Sequence, residues 1–117
     1  MTQHQINLIS EFQKLKTVAN CYVYYDYVKI DTTCSIEYSH EFLTLYVKQN
    51  GNDILISDLN AILEDADYYK LADEDVKNVA EKNGLEFDGV SIFKTITFKE
   101  LTETINKFFS VVKDLKL

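Results

Sequence analysis

The residues of this chain that could do chemistry are two histidines, two cysteines and nineteen acids. Glu37, His40, Glu41 and Asp58 fall close enough in sequence to converge at one end of a sheet. Carboxylates with one imidazole can hold Mg²⁺ or Mn²⁺, as metal-dependent nucleases do. No spacing among them is diagnostic, and no strand carries the acid-x-Lys pattern expected of such a site. Glu37, Glu41 and Asp58 are therefore an alternative metal set, and no cofactor is expected. Cys21 or Cys34 beside His4 or His40 would be a nucleophile pair. Cys21, however, opens a strand-like stretch and reads as a small buried hydrophobe. The two Cys and two His lack zinc-finger spacing, and there is no glycine-rich phosphate loop. No catalytic residue is assigned, and the expectation is a non-enzyme.

Charge is the more informative pattern. The net charge is -7, all twelve basic residues are lysine, and there is neither proline nor tryptophan. Between Asp53 and Asp75 lie eight acids (Asp53, Asp58, Glu64, Asp65, Asp67, Asp73, Glu74, Asp75) and one base, Lys70, so this window alone carries -7. The remaining eleven acids and eleven lysines cancel. An acidic chain without arginine is a poor nucleic-acid binder, because phosphate neutralisation and bidentate base reading need clustered Lys and Arg. A compact acidic surface is instead drawn to a basic groove on another protein. Asp73, Glu74 and Asp75 open a helical pattern and complement its dipole. Glu64, Asp65 and Asp67 read as the end of a short helix, where acids are unfavourable. With Tyr68 and Tyr69 between the two groups, the predicted partner-binding set is Glu64, Asp65, Asp67, Tyr68, Tyr69, Asp73 and Asp75.

The elements that must carry these residues follow from periodicity and punctuation. Leu8, Phe12 and Leu15 predict a helix over Gln3–Val18. Cys21–Asp31, dense in Tyr and Val, predicts one strand, with Tyr25 and Tyr27 on the face opposite Tyr22 and Tyr24. Cys34–Tyr38 reads as a short strand or a turn. Phe42–Lys48 and Asp53–Ser57 predict a hairpin about Asn50-Gly51, the second strand interior. Ser57 or Asp58 caps a short helix through Leu59, Ile62 and Leu63. A second helix runs from Asp73 to Asn83 and closes on Gly84. Leu85–Asp88 and Val90–Thr95 predict a hairpin about Asp88-Gly89. Thr97 and Glu100 predict a capping box before a helix carrying Leu101, Ile105, Phe108, Val112 and Leu115. The order α-β-β-β-α-α-β-β-α predicts a single α+β domain over 1–117, with a small antiparallel sheet packed by N-terminal and C-terminal helices. No apolar run approaches the ~20 residues of a membrane span. Met1–Glu11 lacks signal-peptide character, so a cytoplasmic protein with reduced thiols is expected.

The stretch TCSIEYSHEFLTLYVKQNGNDILIS, Thr33–Ser57, resembles a family of small mobile-element proteins catalogued as domain of unknown function 1828. The matching features are Thr33, Glu37, the strand Leu43–Val47, Gly51 and Ser57-Asp58. The tail from Val76 to Leu115 is similar to the family's helix–hairpin–helix ending, so the resemblance covers about two-thirds of the chain. Members often have glycine soon after the Ser/Thr-Asp, where this chain has Leu59-Asn60, and proline after the leading Thr, where it has Cys34. The resemblance implies a small accessory protein of phages or plasmids, including ones that counter host nucleases. The leading expectation is therefore an acidic binding or inhibitor protein of anti-CRISPR or other anti-defence type, occupying the basic groove of a host nucleic-acid enzyme. The alternatives are the metal-dependent nuclease, or nuclease remnant, and a structural homo-oligomer formed through the tyrosine strand face.

Overall fold

The structure is a computed structural model that describes residues 1–37 and 39–117, without the side chain of Tyr68. It is an α+β fold built on a six-stranded antiparallel sheet of order β1-β2-β3-β4-β6-β5. The strands are β1 (Val18–Tyr24), β2 (Tyr27–Ile36), β3 (Glu41–Asn50), β4 (Asp53–Ser57), β5 (Glu86–Phe87) and β6 (Ile92–Ile96). The helices are α1 (Gln3–Phe12), α2 (Ala61–Tyr68), α3 (Asp73–Lys82) and α4 (Leu101–Asp114). No helix among the described residues is long and apolar enough to cross a membrane.

The strand expected over Cys21–Asp31 is two strands. The chain reverses at Tyr25-Asp26, so that Tyr24 pairs with Tyr27 and Tyr22 with Lys29. Nothing in Tyr-Asp announces a turn, because Tyr25 has to adopt φ +53°, a region costly for a side chain with a Cβ. The reversal is held from outside by Gln5. Its amide donates to the carbonyls of Tyr25 (2.9 Å) and Tyr27 (3.2 Å), and its Oε1 accepts from the Thr2 N–H in the α1 capping box. Cys34–Ile36 continues β2, and Tyr38 lies outside the described residues.

The β3–β4 hairpin exists, but its two-residue loop is Gly51-Asn52, because Asn50 pairs with Asp53. Positive φ falls on Gly51 alone (+65°), the pattern of a type II′ turn rather than the type I′ that Asn-Gly suggests. The hairpin about Asp88-Gly89 also forms, with strands shorter than expected. Gly84, at φ +76°, ends α3, and the Leu85 N–H reaches back to the Ala80 carbonyl in a Schellman cap. The capping box at Thr97 is present, with a 3-10 turn over Phe98–Glu100 before α4.

Alternation sorts the sheet into two unlike faces. Val28, Ile30, Leu45, Val47, Ile54, Ile56, Ile92 and Ile96 are buried in one core with Leu8 and Phe12 of α1 and Ile105 and Phe108 of α4. The opposite face stays half-exposed to exposed. It carries Tyr22 and Tyr24 of β1, Tyr27 and Lys29 of β2, Tyr46 of β3, Leu55 of β4 and Phe93 of β6. Tyr27 therefore shares a face with Tyr22 and Tyr24. The turn inserted after Tyr24 resets the alternation, which a single strand would have carried through.

Candidate functional site

The acid window folds as the end of β4, α2, a short connection and the first turn of α3, and the two helices contact one another. Asp53, Glu64, Asp67, Asp73, Glu74 and Asp75 are exposed. The three ion pairs among the described residues, Glu11–Lys14, Lys77–Glu81 and Glu103–Lys107, include none of the window's acids. The charge of these six exposed acids thus faces solvent without an ion-paired lysine among the described residues.

The structure divides the seven expected contact residues. Glu64 lies in the first turn of α2, not at its end, and accepts from the Asn60 side chain at 3.2 Å. Its position is favourable to the helix dipole, because α2 starts later and runs longer than the sequence pattern implied. Asp75 accepts from the Ala72 N–H at 3.2 Å and, with Asp73, sits in the first turn of α3, as capping predicts. Asp67 is exposed near the C-terminal end of α2, and Tyr69 caps that end with 42% of its surface exposed. The Tyr68 side chain lies outside the described residues.

Asp65 is the unusual member. It is half-buried, in a hollow of about 260 Å³ shared with Lys29, Glu41, Tyr46 and Glu64. Burial, with the charges of Glu64 and Glu41 nearby, pushes its carboxyl above the usual value. The hollow joins the acid window to the tyrosine face of the sheet. On that face Lys29 Nζ stands 5.6 Å from the Tyr22 ring centre and 5.7 Å from that of Tyr24. A hydrogen bond to Tyr22 holds the Lys29 ammonium above its ordinary value. Tyr24 and Tyr46 lie 5.4 Å apart, Tyr27 and Tyr46 6.2 Å. Lys48 lies 5.8 Å from the Tyr27 ring centre. Glu41 and Tyr46 were not among the expected contact residues. They meet Asp65 only because β3 starts beside α2.

The alternative metal set does not assemble. Asp58 is fully buried, and its two oxygens accept the backbone N–H groups of Asn60 (3.2 Å), Ile62 (3.0 Å) and Ile92 (2.8 Å). It ties the end of β4 to the start of α2 and to β6. Burial pushes its carboxyl up to about 6 against those three donors. Glu37 lines a different cleft, Glu41 starts β3, and no three His, Cys, Asp or Glu side chains among the described residues are placed to hold a metal ion.

That other cleft, about 700 Å³, lies between the end of β2 and the end of α4 and brings Cys34 and His40 to one place with Glu37, Lys113 and Lys116. A nucleophile there would need a thiolate, whereas burial raises the Cys34 thiol. Both cysteines are free, and burial raises Cys21 too.

No family model matches this chain, and no curated protein or solved structure is found to be similar to it.

Proposed function

We propose that this protein acts by binding, as an acidic inhibitor-type protein that presents the α2–α3 carboxylates to a basic groove on another protein. The observation that carries this reading is the unpaired acid surface. Asp67, Asp73, Glu74 and Asp75 are exposed, and no ion pair among the described residues neutralises them. Proteins commonly interleave their surface charges, and a block of one sign steers association with the opposite sign. Asp65 and Tyr46 extend the surface onto a tyrosine-rich sheet face, the composition of an interface core. A groove built for nucleic acid supplies both the lysine and arginine charge and the flat stacking surfaces that carboxylates and tyrosines match. The host-enzyme partner and the phage or plasmid origin rest on the residue pattern of Thr33–Ser57 and Val76–Leu115.

The test is a pull-down from a bacterial lysate with immobilised protein, eluted by a salt gradient and repeated with Asp67→Lys/Asp73→Lys. These two positions are exposed, so reversal changes charge without disturbing the hollow at Asp65. The expected result is capture of a nucleic-acid enzyme released by salt and lost in the variant. Capture of the same protein by the double reversal at low salt refutes the reading.

A further inference from the structure

All three glycines of the chain follow Asn or Asp, at Asn50-Gly51, Asn83-Gly84 and Asp88-Gly89. Such pairs share one reaction. A glycine amide nitrogen, unhindered by a side chain of its own, can attack the side-chain carbonyl carbon of the residue before it and close a five-membered imide. The fold holds two of the three pairs against it. Asn83 Nδ2 donates to the Val79 carbonyl at 2.9 Å and to Asp114 Oδ2 at 3.1 Å, and the Gly84 N–H donates to the Glu81 carbonyl at 3.0 Å. Asp88 Oδ1 accepts from the N–H groups of Ser91 (2.8 Å) and Val90 (2.9 Å). Those two donors hold its carboxyl below the usual value and so ionised, a form with no ready leaving group. Asn50 is held by nothing of this kind. It is exposed at the end of β3, and no hydrogen bond among the described residues engages its side chain or the Gly51 N–H. Gln49 Nε2 donates to the Gly51 carbonyl instead, at 3.0 Å. Nothing stands within 4 Å of the place a Cβ on Gly51 would take.

We infer that Asn50 is a site of spontaneous deamidation in the folded protein, and that the fold protects the other Asn-Gly, Asn83-Gly84, from the same reaction. The Gly51 nitrogen bonds to Asn50 Cγ, the bond from Cγ to the side-chain NH₂ breaks, and ammonia leaves with the proton that the nitrogen gives up. Water then opens the imide at one of its two carbonyls, which yields aspartate or isoaspartate. Closure requires the Asn50-Gly51 peptide to rotate toward Cγ. There only the last pair of the hairpin, Asn50 with Asp53, has to open, and such ends open locally at small cost. At Asn83 the same rotation breaks the two side-chain bonds, the Gly84 bond and the bond from the Leu85 N–H to the Ala80 carbonyl that closes α3. Either product places a new carboxylate opposite Asp53, where like charges on paired strands are destabilising. The acid window is thereby extended by one charge beyond its first residue. Isoaspartate also lengthens the main chain at the hairpin tip, against the register that the turn sets.

The test incubates the full chain in mildly alkaline buffer at physiological temperature, once folded and once in urea, and follows tryptic peptides by mass spectrometry. Cleavage after lysine puts Asn50 in the peptide 49–70 and Asn83 in the peptide 83–94, so the two sites are read separately. In the folded chain, fragmentation is expected to place the exchange of NH₂ for OH on Asn50, with aspartyl and isoaspartyl forms resolved by chromatography. Asn83 is expected to convert slower by roughly tenfold or more, since several hydrogen bonds must break first. In urea the two sites are expected to convert at similar rates. Asn50→Gln, at an exposed position, should remove the modification of peptide 49–70 and leave that of Asn83 unchanged. Equal rates at Asn50 and Asn83 in the folded chain overturn the inference. So does a folded chain whose Asn50 stays intact while the chain in urea converts, or a modification of peptide 49–70 that maps to Asn52 or Asn60.

Discussion

Asp58→Asn separates two opposing effects at the point that anchors the acid window. The native carboxylate accepts three backbone N–H groups, those of Ile62 and Ile92 within the buried interior. Asparagine keeps the shape but turns an NH₂ donor toward one of those N–H groups. One buried unsatisfied donor costs roughly 1–3 kcal/mol, independent of pH. The carboxylate itself carries a pH-dependent contribution. Its value is raised from 3.8 to about 6, chiefly by burial. A carboxyl raised in the folded state contributes stability that is complete below its unfolded value and is lost as pH rises through the folded one. A shift of about two units corresponds to about 3 kcal/mol, most of it gained between pH 7 and pH 4. Urea unfolding of both proteins at several pH values, followed by circular dichroism, measures the difference directly. Wild type should exceed Asp58→Asn by a margin that widens by about 2–3 kcal/mol from pH 7 to pH 4, while titration of the other acids cancels in the comparison. A margin that is flat or narrows on acidification would show that the three N–H donors outweigh burial, and the raised carboxyl would be refuted. Asp58→Ala, which leaves the buried donors of Ile62 and Ile92 without an acceptor, should cost about 3–5 kcal/mol at pH 4, a large share of a typical domain's stability.

Other parts of the fold give smaller, independent tests. Gln5→Ala removes both bonds that hold the Tyr25-Asp26 reversal and should lower stability by about 1–3 kcal/mol in urea unfolding, with amide exchange in β1 accelerating before that in β3. Leu59 is exposed and holds φ +44°, a region costly for a side chain with a Cβ. Leu59→Gly should therefore raise stability by up to about 1 kcal/mol, and a lowered melting temperature would contradict strain at that position. Cys21 and Cys34, raised by burial, should react with iodoacetamide at neutral pH more slowly than a free thiol peptide and reach its rate on unfolding. Phe108→Ala, from full burial in α4, should cost about 3–5 kcal/mol by urea unfolding.

Local signals were legible wherever the chain's own neighbours set the conformation. Gly84 ends α3, Thr97 and Glu100 open the last helical segment, and Ile54 and Ile56 mark an interior strand, because each depends on residues a few positions away. The reversal at Tyr25-Asp26 was not legible, since its stabilising partner is Gln5, twenty residues earlier. The same distance in sequence hid the second half of the candidate site. Nothing in the run from Glu64 to Asp75 indicates that Asp65 will share a hollow with Glu41 and Tyr46. Asp58 read in the sequence as a helix cap and, only as an alternative, as a metal ligand. The difference lay in Ile92, whose N–H takes one of its oxygens.

By itself, then, the sequence determined the α+β class, the helix end at Gly84 and the capping box at Thr97, the hairpins at Gly51 and Gly89, and the placement of the whole net charge between Asp53 and Asp75, whereas the second helix starts after Asn60 and not at Ser57 or Asp58. These follow from local backbone preferences and from counting, which need no knowledge of what the chain meets in space. Tertiary structure decided which acids have a structural task and which face solvent. It also decided that the tyrosines of β1, β2 and β3 share one face, and that β1 is left as a free, uncharged edge. Those properties depend on pairing register and on contacts between residues far apart in sequence, where a single turn such as Tyr25-Asp26 sends every later side chain to the other side of the sheet.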